Sequence, residues 1–160
     1  MRVLAFDPGT KIIGWAALDN LNNKCIALNI VATGKLKGTN SDVKGTADIK
    51  GLVEIYHPDF LAYELAGQKK LNSVFKRIIK NAIEVFEIPC IGYTVPDIRD
   101  DLFDGKQKKS ETIFILKDRI AMLKPDVSSH ELDALSVAFY ALNMGIMETV
   151  EEIDGGVKND

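Results

Sequence analysis

Cysteine is scarce in this chain. Cys25 and Cys90 are the only two in 160 residues, both in apolar surroundings and without a C-x-x-C spacing. That excludes a disulfide framework and a zinc pair, and leaves two buried free thiols of a cytosolic protein. No run of about 18 apolar residues occurs, so no spanning helix and no membrane partner is expected. The N-terminus lacks a basic region ahead of a secretory apolar run, and Met1–Phe6 reads as a strand instead, which points to an intracellular protein. Nor is there an excess of positive charge. A net charge of -3 argues against a partner held by overall basicity.

What is present is ample core. A hydrophobic fraction of 46% in a chain of this length predicts one folded domain over residues 1–147. Residues 148–160 form an acidic tail expected to be flexible, with Glu148, Glu151, Glu152, Asp154 and Asp160 against Lys158. Without that tail the chain is near +1. Lys69, Lys70, Lys76, Arg77 and Lys80 then form a run with no acid between Leu65 and Lys80. Such a patch can contact phosphates on a protein that is not basic overall; the plainer reading is a solvated helix face.

The pattern along the chain predicts an α/β layer fold, a mixed sheet flanked by helices. Arg2–Asp7, Ile12–Leu18 and Cys25–Thr33 read as an antiparallel strand meander. Gly34–Gly45 reads as a polar loop and Asp48–Tyr56 as a short helix broken before Pro58. Phe60–Glu64 is a fourth strand and Ile88–Val95 a fifth. Lys69–Phe86 is the clearest helix, with Leu71, Val74, Phe75, Ile78, Ile79, Ala82, Ile83 and Phe86 at helical spacing. Asp97–Ser110 reads as a charged loop or a short helix. Helices are expected over Ser110–Leu123 and Ser128–Asn143.

Asp7 and Glu64 each close a predicted strand that is otherwise apolar. A carboxylate there is costly unless paired or bound to a cation. Turn capping for Asp7 and a lysine salt bridge for Glu64 are the plainer roles. His130 and Asp133 lie three apart, on one helix face. Glu131 falls about a third of a turn away and completes the capping box Ser128-x-x-Glu131, so it reads as structural. The small-residue run from Ala134 to Ala138 would let this helix pack closely on the sheet and bring Asp133 to Asp7. Three separated acids and a histidine suit the shell of a divalent cation, which is a way to cut a phosphodiester. His57, before Pro58, reads as a loop residue. Lys106, Lys108 and Lys109, after Gly105, read as a charged loop or as a source of a phosphate-contacting lysine.

With these positions in place, the chain resembles the RuvC-type Holliday junction resolvases of the ribonuclease-H-like superfamily. The matching text is Leu4-Ala-Phe-Asp-Pro-Gly-Thr-Lys-Ile-Ile-Gly-Trp, then Leu61-Ala-Tyr-Glu, then His130-Glu-Leu-Asp-Ala-Leu, with Val95-Pro-Asp-Ile-Arg through Lys109 similar to the segment that supplies the family's catalytic lysine. The resemblance implies a ribonuclease-H-like, five-stranded mixed sheet, a homodimer, and paired symmetric nicks in four-way DNA junctions that leave 5′-phosphate ends. It implies Asp7, Glu64, His130 and Asp133 as the metal-binding catalytic set for Mg²⁺ or Mn²⁺, two ions per site. Lys109, with Lys108 next, would be the catalytic lysine. Lys69, Lys70, Asn72, Ser73, Lys76, Arg77, Lys80, Lys106 and Lys108 would be the DNA contacts. The setting would be bacterial cytoplasm or nucleoid, or a host cell if the protein is phage or viral.

Two features depart from the cellular pattern. No aromatic follows Glu64 until Phe75, and the chain is shorter and more acidic. Both are similar to the viral and phage branch, whose members act on a wider range of branched DNAs. The rival readings are a flap or branched-DNA nuclease, a hybrid-cutting ribonuclease H, a branched-DNA binding module without catalysis, and a sugar-kinase or actin-like ATPase suggested by Asp7-Pro-Gly-Thr. The last needs a second such domain, for which the chain has no room.

Overall fold

Strand β1 (Arg2–Asp7) is the axis of a five-stranded sheet. The computed structural model describes residues 1–20, 28–39, 42–103 and 126–155, with side chains at all of these except 20, 28, 29, 100–103 and 144–155. Cys25, Lys106, Lys108, Lys109 and the helix expected over Ser110–Leu123 lie outside the described residues. β2 (Ile12–Asn20) runs antiparallel to β1, and β3 (Leu28–Lys37) antiparallel to β2. β4 (Phe60–Leu65) lies parallel to β1 on its other side, and β5 (Cys90–Thr94) parallel to β4. The order β3-β2-β1-β4-β5 is the mixed sheet that the sequence implied.

Side chains alternate across a strand, and here both faces are covered. Val3, Ala5, Ala16, Leu18, Phe60 and Ala62 face the terminal helix. Leu4, Phe6, Ile13, Trp15, Ala17, Leu61 and Tyr63 face helices α1 (Asp42–Tyr56) and α2 (Lys69–Ile83). A central strand sandwiched this way must be apolar throughout, which is why Val3 through Phe6 reads as an unbroken hydrophobic run. Each buried Leu or Phe contributes about 1.5–3 kcal/mol, so β1 anchors both layers. Phe75 of α2 is fully buried between Phe6 and Tyr63, with ring centroids 5.9 and 5.5 Å away.

β2 runs on to Asn20, α2 ends at Ile83 and β5 spans Cys90–Thr94, each within three residues of expectation; four other boundaries differ more in extent or kind. β3 lies later than Cys25–Thr33, running on through Gly34 to Lys37. α1 starts at Asp42 rather than Asp48. Val95–Phe103 is a helix, α3, with Pro96 in its first turn, where the missing N–H costs nothing. The last helix, α4, spans Ser129–Gly155 and so passes Asn143 into the acidic segment. Ala134 through Leu142 are buried without a break. Among the described residues no helix is long and apolar enough to cross a membrane. His57 ends α1 in a left-handed conformation (φ 47°), exposed, at the start of β4 and so at the sheet edge remote from Asp7.

Candidate active site

One row of residues crosses the sheet at the end of β1. Lys35 pairs with Gly14, Gly14 with Asp7, and Glu64 with Tyr93. The parallel β1–β4 register ends at Phe6 against Tyr63, and its next step sets Asp7 beside Glu64. Asp7 continues the Val3, Ala5 face and Glu64 the Phe60, Ala62 face, so both carboxylates lie on the side covered by α4. Parallel pairing thus delivers two distant acids to one edge, where open α/β sheets place their sites.

The first turn of α4 stands on this row. His130 Nδ1 lies 2.8 Å from Asp7 Oδ2, joining positions 123 residues apart. An ionised carboxylate only accepts, so Nδ1 is the donor and Nε2 is the neutral ring's acceptor. Asp7 is 8% exposed; His130, Glu64 and Asp133 are half-buried. Asp133 follows His130 by three positions and shares its helix face.

Close approach is possible because residue 14 has no side chain. A Cβ on Gly14 would lie 2.1 Å from the His130 carbonyl oxygen and 2.9 Å from His130 Cβ. From the sequence, Gly14 reads only as a strand residue. An isolated glycine inside a strand pattern does signal that another backbone comes near, but nothing in the sequence says which one.

Glu131 caps α4 as the spacing predicted. Its Oε2 accepts from the Ser128 backbone N–H at 2.9 Å and the Ser128 hydroxyl at 2.7 Å, and Ser128 Oγ accepts in turn from Glu131 N at 3.3 Å. Its other oxygen, Oε1, accepts from Thr33 Oγ1 of β3 at 2.9 Å. Burial pushes the Glu131 carboxyl up, but these bonds and the charge of Lys35 more than offset it, and the group titrates below its ordinary value. Neither Thr33 nor Lys35 stands out in the sequence, where one closes an expected strand and the other falls in an expected loop.

The donor chemistry suits a hard divalent cation: carboxylates from three elements and one imidazole. Among the described residues, however, no three His, Cys, Asp or Glu side chains close around a common point as a cation cage. The backbone brings Asp7, Glu64, His130 and Asp133 to one sheet edge, with the His130 ring bonded to Asp7.

The residues expected at DNA divide into two sets. Lys69, Lys70, Lys76 and Lys80 are exposed on α2, which sets out from the same sheet edge after β4. Arg77 is held by Asp42 of α1. Asn72 donates to the Ala66 carbonyl at 2.7 Å and accepts from its N–H at 2.8 Å, bracing the β4–α2 connection. Ser73 Oγ donates to the Lys69 carbonyl at 3.0 Å. A cavity of about 350 Å³ between α2 and β5, lined by Tyr63, Lys76, Ile79, Lys80, Ile83, Glu84 and Cys90, lies on the other face of the sheet and contains none of the four. Burial pushes the Cys90 thiol up to about 12, so it is no nucleophile.

No family model matches the chain, and no curated protein matches it by sequence. Solved structures match it in shape. Thermus thermophilus RuvC superposes with a TM-score of 0.79 at 17% identity, covering 93% of this chain and 98% of that one. The fowlpox virus resolvase, solved with substrate Holliday junction DNA, gives 0.60 at 20% identity over 94% and 99%. The yeast mitochondrial Holliday junction resolvase gives 0.66 at 10% identity over 94% and 83%. The chain therefore has the RuvC-type, ribonuclease-H-like fold.

Proposed function

We propose that this protein is a metal-dependent, structure-selective endonuclease that resolves four-way DNA junctions by paired nicks. The observation that carries the reading is the 2.8 Å approach of His130 to Asp7 at the end of β1, with Glu64 in the neighbouring register position. A buried acid of this kind on a fold whose solved examples include junction resolvases is best explained by phosphodiester chemistry. Asp7, Glu64 and Asp133 would hold Mg²⁺ or Mn²⁺, in two sites, with Nε2 of His130 as either a further ligand or a base. Bound there, such ions activate water and neutralise charge on phosphate oxygens.

The chain's own groups have separable tasks in this proposal. Asp7 would fix the His130 ring through Nδ1, and where Nε2 is not a ligand it would take the proton of an attacking water. The water oxygen bonds to phosphorus as the bond to the 3′ oxygen breaks, and that oxygen leaves as a hydroxyl after taking a proton from solvent. A 5′-phosphate remains, so the nick can be religated. Lys109, or Lys108, would offset charge on the phosphoryl oxygens. A two-fold homodimer would present paired sites to a junction of similar symmetry.

The exposed lysines of α2 would hold duplex arms through phosphates. Replacing both Lys76 and Lys80 by alanine should lower junction affinity without changing the cut position. It should also reduce the slope of log K against log salt by about 2, roughly one for each phosphate no longer neutralised. Fluorescence anisotropy across a salt series measures this.

The deciding experiment is cleavage of an end-labelled immobile four-way junction beside flap, splayed-arm, linear duplex and RNA–DNA hybrid substrates in Mg²⁺ or Mn²⁺. Symmetric paired nicks in the four-way junction alone are expected of a strict resolvase. One observation favours a broader branched-DNA nuclease. The resemblance implies an aromatic shortly after Glu64 that helps open the junction; here the first one, Phe75, is fully buried and cannot serve. Comparable cutting of flaps would establish that second reading, and cutting of the hybrid alone would overturn both.

A further inference from the structure

We infer that Thr33 and Glu131 form a strap that sets the position of the His130–Asp133 helix face, making both of them positioning residues of the candidate site. The kinetic part of this inference rests on the proposed nuclease reading; the geometric part does not.

A capping box needs one carboxylate oxygen, and Ser128 already occupies Glu131 Oε2. The second oxygen has no task in capping. It accepts from Thr33, a residue 98 positions away on the outer antiparallel strand β3. Thr33 pairs with Ala16, and Ala16 packs toward α4, so the bond rises from the same sheet face as Asp7 and Glu64. It stands two positions along β3 from Lys35, the end of the row through Gly14 and Asp7.

The first turn of α4 is consequently fixed on three adjacent strands. Glu131 is tied to β3 through Thr33, the His130 backbone rests against Gly14 of β2, and the His130 ring is bonded to Asp7 of β1. The Gly14 contact is a stop: it limits approach but attracts nothing. The two hydrogen bonds lie on opposite sides of it. With only the Asp7 bond, the helix start can roll about the stop and carry His130 and Asp133 away from the carboxylates of the sheet. Glu131 is 9% exposed, so water replaces a missing Thr33 donor poorly.

Thr33→Val removes the hydroxyl but keeps the branched shape, and Thr33→Ser restores the donor. With the full chain and a four-way junction as probe, T33V should lower kcat about 10- to 100-fold, the range for an outer partner that orients a site. KM for the junction should stay unchanged, and T33S should recover kcat to within about threefold. ¹⁵N spectra of histidine-labelled protein, recorded without DNA, supply a second readout. The Nδ1 signal of His130 should leave its hydrogen-bonded position in T33V and regain it in T33S. A purely structural threonine would alter the melting temperature while leaving kcat and the ring signal of the folded protein intact. A wild-type spectrum and wild-type kcat in T33V, or failure of T33S to restore them, would overturn the strap. If wild-type protein nicks no DNA, the nuclease reading fails, and the ring spectra still decide the strap.

Discussion

Asp7→Asn should abolish Mg²⁺-dependent nicking, by on the order of 10³-fold or more, while four-way junctions are still bound. The substitution conserves shape. The amide oxygen can accept from His130 Nδ1 as the carboxylate does at 2.8 Å, so the fold has little reason to change, and the stability loss should stay within about 1 kcal/mol. What disappears is the negative charge of an acid that is 8% exposed. A neutral amide there neither attracts a divalent cation nor stabilises a protonated imidazole. A quenched-flow or gel assay of nicking, with binding measured on the same preparation, separates the two effects. Residual nicking near the wild-type rate would take Asp7 out of the chemistry.

Gly14→Ala should be nearly as damaging although the residue carries no functional group. Its Cβ would meet the His130 carbonyl oxygen at 2.1 Å and carbonyl carbon at 2.3 Å, where ordinary contact begins near 3.4 Å. Both partners are backbone, in a central strand and in the first turn of a helix, so neither gives way by a rotamer change. The start of α4 must withdraw by about 1 Å, a displacement that can cost about 10²-fold in rate. Forced repacking of this kind costs about 1–3 kcal/mol. Gly51, inside α1, is the control. Nothing lies within 4 Å of a Cβ there, and alanine should stabilise that helix by about 0.5–1 kcal/mol. Thermal melts of the two variants should move in opposite directions, and only G14A should be deficient in nicking.

The elements that were legible in the sequence are those whose burial pattern is local. β1 and β4 are apolar runs closed by an acid, and α2 carries its core stripe at helical spacing. Glycine was misleading twice. Gly34 and Gly45 look like loop residues, yet Gly34 is a strand residue against which the Trp15 ring lies, and Gly45 faces Ile78 across the α1–α2 contact. At Gly34 the absent side chain makes room for the Trp15 ring, whereas at Gly45 a Cβ would meet Ile78 only in ordinary contact. The same limit applies at the site. The four candidate residues could be picked out because acids at strand ends and an H-x-x-D helix face are local patterns. Gly14 and Thr33 could not, because their roles exist only once β2 and β3 are in register beneath α4.

The separation of 123 residues between Asp7 and His130 has a consequence for the protein while it is being made. By the end of α3 all five strands and both sheet acids have emerged. Yet one face of the sheet is still bare, because Val3, Ala5, Ala16, Leu18, Phe60 and Ala62 wait for α4. Contacts of such long range close late and reward the chain only on closing. On the proposed nuclease reading, a nascent chain of this design would hold no assembled centre during most of its synthesis, and would leave nearby nucleic acid uncut. The same delay exposes a greasy, unprotected sheet until α4 arrives, which makes that interval its most aggregation-prone.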